Sequence, residues 1–81
     1  MSTPDLSGRH PVTRHHMTIL RPNPQLNGVA GDVAALLWGA ACDLVTILGD
    51  GPELSSGLRK LWEAKNSLVM QGLLDSGTLH E

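Results

Sequence analysis

The chain has no tyrosine and no phenylalanine, two tryptophans and a single cysteine. With those rings missing, any flat surface offered to a ligand must come from Trp38, Trp62, a histidine or an arginine plane. The lone Cys42 excludes a disulfide framework within the chain, and its place among alanines on an apolar segment reads as a small buried residue, not a nucleophile. A net charge of −2 argues against general nucleic-acid binding, so no DNA partner is expected. No glycine-rich loop precedes a Lys-Ser or Lys-Thr pair, no two carboxylates are spaced to face each other on a helix, and no second ligand cluster supports His15-His16 as a metal site. Ser55 and Ser56 have no identifiable base, so no catalytic residue, metal or cofactor is assigned. Internal repeats, low-complexity tracts and a charged start followed by an apolar signal are also missing.

What is present is an apolar stretch, Gln25 to Leu48, that carries only Asp32 and Asp43 as charges. Leu26, Val29, Ala30, Val33, Leu36, Leu37, Ala40, Leu44, Ile47 and Leu48 fall at helical spacing, and Trp38, Ala41 and Val45 widen the apolar surface beyond one stripe. A helix this apolar cannot be half exposed on an 81-residue monomer, so the core is expected to be completed by homo-oligomerisation. Gly31, Ala35 and Gly39 form a ridge of small residues where a second backbone can approach closely. With Leu37, Trp38, Leu61 and Trp62 they are the expected oligomer contacts. A membrane span is the rival reading. Asp32 and Asp43 would each cost roughly 2.5–3.5 kcal/mol near the centre of a span, so a soluble, cytoplasmic protein is expected.

Composition divides the chain in three. Residues 1–24 hold four of the five prolines and three of the four histidines, with Arg9, Arg14 and Arg21 against the single acid Asp5. They read as an extended basic arm, with a short strand available over Val12 to Leu20 before Arg21-Pro22-Asn23-Pro24 stops it. Residues 25–77 read as a helical hairpin. Asn23-Pro24, or alternatively Asn27, opens its first helix; Gly49-Asp50-Gly51-Pro52 breaks it; and Glu53 starts a second helix that ends at Asp75-Ser76-Gly77. Residues 78–81 are a tail. The fold class is therefore all-α: an antiparallel two-helix hairpin with an extended basic N-terminal arm, completed by self-association. The arm is formally +2, and residues 25–53 are −4, so the arm either docks on the acidic surface of a neighbouring copy or binds an anion.

The paired histidines of the arm, the long helix, the Gly-Pro-Glu break and Ser56-Gly57-Leu58-Arg59-Lys60-Leu61-Trp62-Glu63-Ala64 resemble small phage proteins with the anti-CBASS/anti-Thoeris helical-hairpin domain. Members of that family often begin the arm with two histidines and carry a segment like Leu-Thr-Lys-Leu-Glu-Glu-Ala, matched here at Leu58, Lys60, Leu61, Glu63 and Ala64. The likeness spans about His15 to Leu74. It implies a non-enzymatic sponge: a compact homo-oligomer, commonly a hexamer, that sequesters cyclic di- or trinucleotide or cyclic ADP-ribose-type immune messengers in the host cytoplasm. Two departures leave the ligand open. Met17, Thr18 and Ile19 follow the histidines where the family often has an aromatic, and Trp62 stands where relatives are often acidic.

A cyclic nucleotide needs cations or N–H groups at its phosphates and flat surfaces at its bases. Arg14, Arg21, Arg59, Lys60 and Lys65 are the candidates for the first role, with His15 and His16 able to stack or donate. Lys65, on the apolar side of its helix, reads equally as a snorkelling side chain. Two other classes remain: a protein-binding inhibitor or antitoxin-like module that presents the hairpin to a partner, and a structural oligomer without a ligand.

Overall fold

The computed structural model describes residues 4–77, and they form three helices: α1 (Pro11–Leu20), α2 (Gly28–Ile47) and α3 (Pro52–Asp75). The first of them corrects the reading of residues 1–24 as an extended arm with a strand, since no strand occurs among the described residues. Pro11 suits the first helical position because it has no N–H to leave unpaired. His10 caps the helix, its Nδ1 accepting from the Val12 N–H at 3.1 Å. Thr13, His16, Met17 and Leu20 recur at helical spacing and are all buried, so the apolar stripe overrides the weak β preference of Val12, Thr13, Thr18 and Ile19.

Between α1 and α2 the Asn23 side chain accepts from the Gln25 N–H at 2.9 Å, which uses Asn23 in a turn and leaves Asn27 as the N-cap of α2. Gly28 enters that helix at φ +64, a conformation that side-chain-bearing residues rarely adopt. The break at residues 48–51 is short, and α2 and α3 pack along one another. Their register is set where the start of α2 meets the end of α3. A Cβ added at Gly72 would stand 3.3 Å from both the Cα and the N of Ala30.

The core lies where all three helices meet. Met17 and Leu20 from α1, Ala41, Cys42 and Val45 from α2, and Leu54 and Leu58 from α3 form one buried cluster. Trp38, Leu61 and Trp62, expected at an oligomer contact, are half-buried against this cluster in their own protomer. Of the small-residue ridge, Gly31 is required locally, because an added Cβ would sit 2.9 Å from the Leu26 carbonyl oxygen. Ala35 is exposed, and it shares a shallow concavity on the outer side of α2 with Gly39.

Helix α1 covers only one face of the hairpin. The molecule measures 41 × 23 × 17 Å, and the thinnest extent is that of two helix layers at ~8–10 Å separation. On the other face, Leu36 and Ile47 of α2 are 75% and 76% exposed.

Candidate functional site

The most connected polar group is the clasp between Arg9 and Asp50. The Asp50 carboxylate accepts from the Arg9 Nε at 2.9 Å, the His10 N–H at 2.8 Å and the Thr13 hydroxyl at 2.8 Å. The rest of the Arg9 guanidinium donates to the carbonyls of Val45 and Leu48 at the end of α2. One pair of side chains thus takes up the N–H of the residue that caps α1 and two of the orphan carbonyls at the end of α2. Sequence reading placed Arg9 in the basic arm and Asp50 in a turn, and nothing in their local spacing joins them.

The His10 N–H, with smaller help from Thr13 and Arg9, holds the Asp50 carboxyl at about 2. Its folded value lies below the ordinary ~3.9, so its contribution to stability is complete above that value and is lost as pH falls from about 4 to about 2. Amide protection in α1, taken relative to the intrinsic exchange rate at each pH, is expected to fall over that window, and Asp50→Asn to flatten the dependence. An unchanged pH slope in the variant would show that the clasp does not hold α1.

The candidate cations separate into three groups. Lys65 is consumed by the fold: its Nζ donates to the Ile19 carbonyl at 3.2 Å, near the end of α1. Arg21 and Arg59 lie over indole rings, 5.5 Å from the centroid of Trp38 and 5.8 Å from that of Trp62, and Arg59 also stands 3.5 Å from Glu63. Arg14, His15 and Lys60 are exposed, and no hydrogen bond or ion pair engages their side chains among the described residues. His16 is buried, with Nδ1 donating to the Val12 carbonyl at 2.9 Å, so of the paired histidines only His15 faces solvent. The two rings meet edge to face at 6.0 Å.

These cations do not converge on one cavity within the protomer. An open groove of about 690 Å³ runs between the end of α2 and the first half of α3, walled by Leu44, Leu48, Leu58 and Leu61, with Lys60 among its lining residues. A second depression continues between the start of α2 and the end of α3, lined by Val29, Val33, Leu37 and Leu68. Burial pushes the Cys42 thiol up, and neighbouring Asp43 adds to the rise, so it stays protonated and packs as a small apolar group. No group of three or more His, Cys, Asp or Glu able to hold a metal occurs among the described residues. Helix α2 is long and apolar enough to cross a bilayer by length and composition, and a third of it is buried within the protomer. Comparison with family models, curated proteins and solved structures gives no match.

Proposed function

We propose that the chain is a non-enzymatic phage anti-defence protein that assembles with copies of itself in the host cytoplasm and sequesters a cyclic nucleotide immune messenger. The family resemblance over His15 to Leu74 motivates the reading. The observation that carries it is Arg21. Its guanidinium is held over Trp38, its side-chain N–H groups meet no acceptor among the described residues, and such a stacked, pre-oriented fork suits bidentate phosphate binding. Arg14 and His15 on α1 are further unpaired donors, as is Lys60 on α3 in the single protomer. Because one protomer does not gather them, the binding pocket is formed where the α1 sides of separate copies meet. A sponge needs no group that degrades its ligand, only donors and a closed site.

Thermal unfolding with an excess of cyclic di- and trinucleotides and cyclic ADP-ribose isomers tests this. Ligand at about a hundred times its dissociation constant adds roughly 2.7 kcal/mol per site, which raises the midpoint of so small a domain by several degrees or more. The double variant Arg14→Ala, Arg21→Ala is expected to lose that rise; a retained rise refutes the role given to α1 and its C-terminal arginine. The apolar walls of the groove favour a second reading, a helix of a partner protein laid along the hairpin. No rise with any nucleotide, together with a change of assembly state only when host protein is added, would select it.

A further inference from the structure

The face of the hairpin opposite α1 has a pattern of its own. Val29, Val33, Leu36, Ala40 and Ile47 follow one another along α2 at intervals of three, four and seven, and Gly57, Leu61, Ala64 and Leu68 along α3 at four, three and four. This is the spacing of a helix seam that inserts knobs into a facing helix. The two depressions between α2 and α3 both open on this face, and their walls are almost wholly apolar. Leu36, Ile47 and Leu68 remain 75%, 76% and 48% exposed there.

We infer that this face is the contact surface for a second copy of the chain, packed about a two-fold axis parallel to the helices to form a four-helix bundle. Charge selects that axis. A two-fold axis crossing the helices would lay α2 antiparallel on α2 and bring Asp32 of one copy against Asp43 of the other. A parallel axis lays α2 on α3 instead. The approach of Gly72 to Ala30 fixes the levels, and twelve residues from each along its helix puts Lys60 beside Cys42 and Asp43 in height. Both charged side chains stand at the outer edge of the open face, so Lys60 of each copy meets Asp43 of the other across the seam. Edge pairs of this kind set partner orientation in helical bundles.

The inference rests on the self-assembly in the function proposed above and not on its ligand, so it is tested without nucleotide. Sedimentation of the full chain is expected to give a dimer or a multiple of it. Leu36→Glu and Leu68→Glu, at exposed positions, are expected to give monomers with undiminished helical circular dichroism. Lys60→Glu is expected to weaken the dimer by about 2- to 30-fold through its two symmetric pairs, and added Asp43→Lys to restore it. A monomeric parent chain, a dimer indifferent to glutamate at both positions, or a parent chain that floats with phosphatidylcholine vesicles as a monomer overturns the proposal. Failure of the charge swap to restore the dimer overturns the axis. A nucleotide-induced thermal shift is scored separately, so loss of the messenger reading leaves this result standing.

Discussion

Truncating Leu58 to alanine is expected to cost about 2–5 kcal/mol, the range for emptying a packed leucine site. Leu58 is 1% exposed and belongs to the cluster that all three helices share, so its removal takes packing contacts from more than one helix at once. A domain of this length holds about 4–12 kcal/mol in total, which makes the loss a large fraction of its stability. At fixed protomer concentration the thermal midpoint should fall by about 10 °C or more. Leu36→Ala is the companion measurement. At 75% exposure it should change protomer stability by under about 0.5 kcal/mol and act on assembly instead. A Leu58→Ala chain that melts within a degree or two of the parent would mean that the three-helix core is not the one described.

Two glycines of α3 should respond to added side chains with opposite sign. At Gly72 a Cβ would press on the Ala30 backbone at 3.3 Å and on the Val29 side chain at 3.4 Å, and the backbone of α2 has no rotamer with which to move aside. Gly72→Val is expected to force the helices apart and destabilise by about 1–3 kcal/mol, despite the better helix propensity of valine. At Gly57 an added Cβ meets nothing within 4 Å in its own protomer. Gly57→Ala is expected to stabilise the helix by up to about 1 kcal/mol. Urea midpoints of the two variants read the difference directly, and equal shifts of the same sign would contradict the close crossing at Ala30.

The hairpin was legible because its evidence is local. Apolar residues recur at helical spacing on both sides of Gly49-Asp50-Gly51-Pro52, and Pro52 with Glu53 marks a helix start, so α2 and α3 fall within a few residues of their expected limits. Helix α1 was missed for a different reason. Its stripe of Thr13, His16, Met17 and Leu20 mixes polar with apolar residues, and three prolines nearby suggested an extended chain. Only burial against α2 and α3 makes a Thr and a His count as core. Basic residues that look alike in sequence also part company in three dimensions. Arg9 and Lys65 cap helix ends, Arg21 and Arg59 cover tryptophans, and Arg14 and Lys60 have no partner among the described residues. Those assignments depend on contacts as much as 46 residues apart, beyond the reach of periodicity.

The Arg9–Asp50 clasp also orders events in time. Helices α2 and α3 are neighbours in the chain and can zip from their short turn, whereas α1 waits for partners that lie 36 to 46 residues away: Val45, Leu48, Asp50 and Lys65. Closing so long a segment carries an entropic cost that is recovered only once the docking surface exists. Helix α1 is therefore expected to be the last element to arrive and the first to leave. Removing the clasp is expected to speed unfolding in stopped-flow measurements and to leave the folding rate nearly untouched.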